Sequence, residues 1–468
     1  MSSPGPASHS GIGAAPEEAE HFLAAHPEIA GIDLILTDPG GVMRGKNIRR
    51  EELLAIYRHG RYMPGSILSL DITGEDVEET NLVWVDGDAD RLCHPVPGTL
   101  LPAPWRAEEP TGQVILTMHE LDGRPYHADP RHALERVVKR FTDQGLTPVM
   151  AVELEFYLLD PKPGPDGRPR PAVSPGSGHR PRHIEVYDVN LLGEMWPVFA
   201  EIHACAKAQG LPAQTVIHEY SPGQWEITLH HRADAMRAVD EGLMFKRLIR
   251  GVAAKHGMQA CFMAKPFAGR AGSGMHIHLS LADKDGNNLF ADGDKPEGSL
   301  LLRHTIGGMA ATMADAMLVY APNANSYRRF RRTSYAPVAP TWGINNRSVG
   351  LRIPAGPGSS RHIEHRPSGA DANPYLAVAM ALAGAHYGIE RRIDPGPPVT
   401  GNGYEQAKPG ALPQHWSEAI ERAERSAFLK EYLGKDFFEV FLAIKRAELD
   451  RFMAEVTELD YQWYLRTT

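Results

Sequence analysis

Cysteine is scarce in this chain. Its 468 residues hold three, Cys93, Cys205 and Cys261, far apart and without metal-ligand spacing. That count excludes a disulfide framework and fits a reducing, cytoplasmic setting. Long apolar stretches are also missing. No run approaches the roughly 18 residues that a membrane span needs, so none is expected. The N-terminus lacks the charged-then-apolar order of a secretory signal, and residues 1–15, MSSPGPASHSGIGAA, read as a disordered tail. There is no basic excess: 49 Lys and Arg stand against 58 Asp and Glu, a net charge of -9. That balance argues against a nucleic-acid partner and requires any anion site to be a local cluster. Neither a Walker loop nor the kinase glycine pattern occurs, and no internal repeat is visible.

What is present suffices for a large core, since 42% of the residues are hydrophobic; the length suggests two domains. Residues 16–122 read as a small, mostly β unit. A helix over 16–30 precedes a hairpin whose arms, 32–37 and 42–48, flank Asp38-Pro39-Gly40-Gly41. Further strands are expected at 81–85 and 113–119. Before the first of these, residues 68–80 form an acidic loop with Asp71, Glu75 and Asp76. Residues 123–468 alternate helices (130–144, 191–209, 233–256, 299–316, 374–387 and the C-terminal stretch) with strands at 148–159, 214–231 and 275–281.

The stretch from Cys261 to Leu281, CFMAKPFAGRAGSGMHIHLSL, anchors the functional reading. A glycine-rich turn leads into an alternating strand that puts His276 and His278 on one face, about 7 Å apart. That separation suits two tasks better than two ligands to one small ion. Glu153 and Glu155 share a face of another strand, with Val152, Leu154 and Phe156 on the reverse. Glutamate is seldom buried unless paired or metal-bound. Glu219 and Glu226 flank the turn at Ser221-Pro222-Gly223, where a hairpin brings them together. With Glu364 these make five carboxylates and one imidazole, an oxygen-rich set that suits two Mg²⁺ or Mn²⁺ ions better than zinc. Eight arginines fall between Arg328 and Arg366. Their forks suit phosphate and carboxylate. Divalent metals beside convergent guanidiniums are what phosphoryl transfer requires.

Together these motifs resemble the glutamine synthetase family, on its bacterial type-I side, from about Ile32 onward. The most specific parts are Lys265-Pro266 with Gly272-Ser273-Gly274-Met275-His276-Ile277-His278, then Asn346-Arg347-Ser348 with Arg352-Ile353-Pro354, and Asn373-Pro374-Tyr375. The resemblance implies an α+β fold, an N-terminal β-grasp domain (16–122) followed by a glutamine-synthetase-type catalytic α/β domain (123–468). It implies a homododecamer of two stacked hexameric rings, with active sites between neighbours. By position it assigns Glu155, Glu219 and Glu226 to one metal and Glu153, His276 and Glu364 to the other. His278, Arg352, Ser280 and His362 fall to ATP, the last where an arginine is usual. Arg347 falls to the transferring phosphoryl group, and Gly272, Arg329 and Arg366 to glutamate. Arg347 and Arg352 would share a strand face only with a bulge at Gly350. The implied reaction phosphorylates the γ-carboxylate of glutamate and lets an amine attack the acyl phosphate.

Departures from the family pattern decide the amine. The aspartate that binds ammonium is replaced by Pro64, and the flap glutamate by Tyr335. A small cation needs carboxylates in place of its water shell, and an uncompensated buried ammonium costs several kcal/mol. The expected nucleophile is therefore a larger amine, a polyamine or ethanolamine, as in the γ-glutamylpolyamine and γ-glutamylethanolamide synthetase branch. Tyr335 would line its alkyl chain, and Asp71 and Glu75, with Asp76, would meet a distal charge. Glu219, Asp71 and Glu75 are candidates for the general base. Ala271 replaces a glutamate-site asparagine. The adenylylated loop of some type-I enzymes has no match near Tyr404, so that modification is not expected. An ammonium-dependent synthetase and a catalytically silent oligomer are the alternatives.

Overall fold

A computed structural model describes residues 12–408 and 410–468. Of the tail expected over 1–15, residues 1–11 lie outside the described residues. The rest departs from that expectation at Ala14, which is buried and donates its N–H to Pro95 O at 2.8 Å.

Two sheets organise the chain. The first contains β1 (Gly31–Thr37), β2 (Met43–Arg49), β3 (Arg61–Pro64), β4 (Asp90–Pro95), β5 (Leu101–Pro102) and β6 (Thr111–His119), in the order β2-β1-β6-β4-β3, with β5 on β6. The hairpin turn holds because the Asp38 carboxylate accepts from Val42 N–H and Arg44 Nε, both at 2.8 Å, while Gly41 takes φ +85°. Residues 81–85 form no strand. Asn81 turns into the left-handed region (φ 59°) after a short 3₁₀ turn, and Trp84 and Val85 face solvent instead of a partner strand.

The second sheet contains β7 (Thr147–Leu159), β8 (Ala213–His218), β9 (Gln224–Leu229), β10 (Gln259–Cys261), β11 (Met275–Ala282), β12 (Trp342–Ile344), β13 (Leu351–Ile353) and β14 (Ile363–His365). Its order is β12-β13-β14-β11-β7-β9-β8, with β10 on β7. Only β12 and β13 run parallel to each other. Val152, Leu154 and Phe156 of β7 join Ile277 and Leu279 of β11 in one core with helix Ala235–Lys255. Burial of each such side chain contributes about 1.5–3 kcal/mol. That face fixes the register, which leaves the opposite face free to carry charge.

Helix Pro374–Arg391 runs through the same core. Its alanine and glycine content has a physical cause: a Cβ on Gly308 of helix Leu300–Thr312 would lie 2.2 Å from Gly384 O. The Asn373-Pro374-Tyr375 motif also acquires a structural role. Asn373 caps the helix through Tyr375 N–H (2.9 Å) and donates its amide to Asp38 O (3.0 Å), tying the helix to the first hairpin. This is the N-cap with proline at N1 that helices favour. The last long helix, Lys435–Ala454, sends Val440 and Ile444 into the core of the first sheet. A boundary near residue 122 thus divides the sheets, but the chain's far end returns to cover the first. Among the described residues no helix is long and apolar enough to cross a membrane.

Candidate active site

The antiparallel register assembles the charged face. Glu226 of β9 lies opposite Glu155 of β7, Glu153 of β7 opposite His276 of β11, and His278 of β11 opposite Glu364 of β14. Residues directly opposite in such a pair project the same way. Four neighbouring strands therefore present five of the six expected metal ligands on one surface. The sixth, Glu219, follows β8 at the hairpin turn.

The contacts are close. His276 Nδ1 is 2.6 Å from Glu153 Oε1 and 3.7 Å from Glu364 Oε1, and its Nε2 is 3.7 Å from Glu155 Oε1. Glu153, Glu155, Glu226 and His276 offer ligand atoms all within 4.8 Å of one another. This cluster cuts across the expected two-ion partition: it takes two residues from one set and two from the other, and leaves Glu219 and Glu364 at its margins. Glu364 is held by Arg352 Nη1 at 2.7 Å and by Arg366.

Electrostatics divides the carboxylates. Burial raises the Glu226 carboxyl well above its ordinary range, and the charges of Glu153, Glu155 and Glu219 push the same way. Burial, with Glu155 and Glu153, pushes Glu219 up to about 7. Glu153 and Glu364 go the other way despite burial. Hydrogen bonds from His276 and His278 hold Glu153 well down, and the charge of Arg366 is the largest influence holding Glu364 near 2. Buried like charges settle apart in this manner when no cation separates them. The β9–β7 half of the cluster is thus short of positive charge. Its donor set, carboxylate oxygens with one imidazole, fits a hard divalent cation.

The glycine turn is pinned beside it. Gly274 N–H donates to Glu155 Oε2 at 2.7 Å, Gln224 Nε2 to Gly272 O at 2.9 Å, and Tyr157 Oη to Ala271 O at 2.8 Å. A Cβ on Gly272 would meet Arg329 Cγ at 2.7 Å, and one on Gly274 would meet His276 Nε2 at 2.9 Å. Only glycine lets the arginine and the histidine approach the turn so closely. Buried Arg329 donates to the carbonyls of Pro367 (2.9 Å), Ser368 and Arg366.

The flap residues are strapped to these arginines. Tyr335 takes φ 58°, exposes its ring, and accepts from Arg366 Nη2 at 3.2 Å through its carbonyl. A bulky residue in that region is strained and must be held by its surroundings. Part of the restraint is Tyr404, whose buried hydroxyl donates to Ala336 O at 3.0 Å. Arg347 is exposed in the turn between β12 and β13, where its charge acts on Glu219. Asn345 (φ 47°) and the Asn346 side chain fold residues 345–348 into a turn, which takes Arg347 off the strand that carries Arg352, and at Gly350 the successive N–H groups of Gly350 and Leu351 both donate to Thr341 O at 3.0 Å. Ser280 is buried on the face of His276 and His278. His362 Nε2 lies 3.1 Å from His278 Nδ1.

Three expected residues lie elsewhere in this chain. Pro64 ends β3 on the edge of the first sheet. Asp71 and Glu75 both pair with Arg451 at 2.5 Å, and Asp71 accepts from the N–H groups of Thr73, Gly74 and Glu75. Two site residues escape the sequence reading. Tyr187, at φ 60°, stands near Glu219 and Arg347, and nothing in its local sequence separates it from an ordinary loop tyrosine. His231 packs against His278 and His362. The pair His230-His231 after an apolar strand was the available signal for it.

The chain is similar to known proteins. A family model described as glutamine synthetase, catalytic domain, matches residues 127–464. The gamma-glutamylputrescine synthetase PuuA of Escherichia coli (strain K12) is 40% identical over 452 residues, covering 96% of this chain and 94% of its own. The gamma-glutamylethanolamide synthetase GlnA4 of Streptomyces coelicolor is 33% identical over 453 residues, covering 96% and 94%. Among solved structures, a GmaS/ADP complex superposes with a TM-score of 0.81 at 28% identity, covering 95% of this chain and 98% of that one.

Proposed function

The chain belongs to the glutamine synthetase family, and from that premise we propose its activity and the part each site residue plays. It is a carbon–nitrogen ligase that joins the γ-carboxylate of glutamate to an amine larger than ammonium, with ATP as the phosphoryl donor. The observation that carries this reading is the Glu153–Glu155–Glu226–His276 cluster beside the Arg352–Glu364–Arg366 pairs, in a chain alignable almost end to end with amine ligases.

The placement of the residues supports the following roles. Glu153, Glu155, Glu219, Glu226, His276 and Glu364 would hold two Mg²⁺ or Mn²⁺ ions, which neutralise phosphate oxygens when bound. Arg352, His278, Ser280 and His362 line the nucleotide side. Gly272, Arg329 and Arg366 receive glutamate, the glycine because a side chain there would strike Arg329. Arg347, exposed in its turn, reaches toward the transferring phosphoryl group. Glu219, outside the tight cluster, is placed to take the proton of the attacking amine. Tyr335 borders the amine's path with an apolar ring in place of a carboxylate.

Pro64, Asp71 and Glu75 belong to the first sheet and its acidic loop, which we read as a β-grasp domain over residues 16–122. They would reach a site only across an interface between copies. Such an assembly, a homododecamer of two stacked six-membered rings, agrees with Trp84, Val85, Trp463 and Leu465, apolar side chains that a lone chain leaves in water. Three free cysteines, two of them buried, agree with a cytoplasmic setting.

The deciding experiment measures phosphate release with glutamate, ATP and Mg²⁺ over putrescine, spermine, ethanolamine and ammonium. An alkyl amine should give the highest kcat/KM. Ammonium outperforming every alkyl amine would overturn the specificity. No glutamate-dependent turnover with any amine would overturn the activity.

A further inference from the structure

Beside the carboxylate cluster lies a second convergence made of nitrogen alone. His231 follows β9, His278 stands on β11, and His362 precedes β14. Each offers a ring nitrogen, and the three lie within 4.8 Å of one another. Their ring centroids are 5.2–5.8 Å apart, and His231 meets the other two edge-on, at 76° and 71°. Ring edges, where the nitrogens are, therefore face inward.

The outer nitrogens are already engaged. His362 Nδ1 lies 2.7 Å from Ser360 O. A carbonyl can only accept, so Nδ1 carries the hydrogen and Nε2 turns its lone pair inward. His278 Nε2 lies 3.3 Å from Glu153 Oε2, which leaves Nδ1 toward His362. His231 Nε2 is buried without a hydrogen-bond partner. A metal-binding histidine characteristically donates its other ring N–H to a carboxylate or backbone carbonyl, which fixes the tautomer. His278 and His362 meet that condition in both forms.

We propose that His231, His278 and His362, two of which line the nucleotide side assigned above, form a nitrogen-only site distinct from the carboxylate cluster, for a borderline transition ion of the zinc class, with one position left for an oxygen ligand. Imidazole triads with an open position suit zinc, whereas Mg²⁺ prefers oxygen. The two neighbouring clusters thus differ in ion class, although Glu153 touches both. Bound there, the ion would accept the lone pairs of His278 Nδ1 and His362 Nε2, which face each other across 3.1 Å, and no proton is displaced.

The test uses tag-free protein in excess Mg²⁺, which fills the oxygen-rich site, titrated with Co²⁺ as a spectroscopic stand-in for Zn²⁺. One Co²⁺ per chain should bind with the intense visible bands of four-coordinate cobalt, and Zn²⁺ should displace it. His231→Ala and His362→Ala should each weaken that equivalent by more than the roughly 10–100-fold that loss of an outer-shell partner costs. His203→Ala, on a half-buried histidine remote from this cluster whose ring nitrogen meets Gln214 O, should not. Melting curves without transition metal report whether each variant folds; His231→Gln replaces His231→Ala if that one does not. Cobalt bands unchanged in the His231 and His362 variants would overturn the site, as would only weak octahedral absorption in the parent protein. Because the readout is metal occupancy, it is independent of whether the ligase reading holds.

Discussion

Glu153 and His276 face each other across adjacent antiparallel strands, Oε1 2.6 Å from Nδ1. The same Glu153 borders Glu226, whose carboxyl burial and repulsion push toward the protonated form. Two glutamates on neighbouring strands are thus pushed in opposite directions. Neutralising them should have opposite effects. Glu226→Gln replaces a group whose charge burial and its neighbours oppose, so metal-free protein should melt at an unchanged or higher temperature. Glu153→Gln removes the charge that the imidazoles share and should cost about 1–3 kcal/mol without metal. Both variants should lose the upward shift in melting temperature that saturating Mg²⁺ gives the parent. A Glu226→Gln protein that is destabilised without metal and still shifted by Mg²⁺ would remove Glu226 from the ligand set.

Proton competition sets the pH dependence of cation binding. Glu219 titrates near 7 in the metal-free protein, raised chiefly by burial and then by Glu155 and Glu153. A cation needs the carboxylate, so below that pH it must expel a proton. Mg²⁺ affinity should therefore fall as pH drops from 8 to 6, by up to about tenfold per unit for each proton released. Calorimetry in two buffers of different ionisation enthalpy counts those protons. Release should be greater at pH 6 than at pH 8.5, and an affinity flat over that range would contradict the reading.

Arg451 ties the last long helix to the acidic loop through Asp71 and Glu75, both at 2.5 Å. The arginine is half exposed, and Asp71 also has three backbone N–H donors. The pair therefore contributes modestly, about 1 kcal/mol. Arg451→Ala should lower the melting temperature by roughly one to three degrees. If the freed carboxylates also face an amine's distal charge, KM for putrescine should fall while KM for ethanolamine stays fixed. Equal changes for the two amines would confine Asp71 and Glu75 to a structural role.

Much of this was legible before any coordinates, for identifiable reasons. Glu153-x-Glu155 and His276-x-His278 declare their faces because strand periodicity leaves no choice. The Ser221-Pro222-Gly223 turn declares the β8–β9 hairpin that brings Glu226 to Glu155. Strand order was not legible. That β11 lies between β7 and β14 depends on long-range pairing, and with it the distances that gather Glu153, Glu155, Glu226 and His276 into one cluster. Residues 81–85 misled because Trp84 and Val85 have strand propensity, while their exposure answers to surroundings that lie outside the segment. The pairing of Asp71 and Glu75 was hidden for a related reason: their partner, Arg451, lies more than 370 residues away.

The choice of amine gives the sharpest prediction. Tyr335 is exposed at a left-handed position and anchored through its own carbonyl to Arg366. Its side chain therefore makes no bond that holds the flap, and a glutamate can replace it without breaking the strap. Tyr335→Glu supplies one carboxylate for a small cation, and Pro64→Asp supplies a second. Proline at 64 sits at the end of an edge strand, where the N–H regained with aspartate can meet solvent. The double variant should raise kcat/KM for ammonium by at least about tenfold, since about 1.4 kcal/mol in total from the two recovered charge contacts would suffice. The alkyl amine should lose in KM more than in kcat, because its chain loses an apolar wall while the phosphoryl chemistry is unchanged. The single variants should each give less than half of the gain in log units if the two carboxylates act on one cation. Steady-state phosphate release with both amines measures all of this. If ammonium gains nothing while the alkyl amine keeps its KM, Pro64 and Tyr335 lie outside the amine's path.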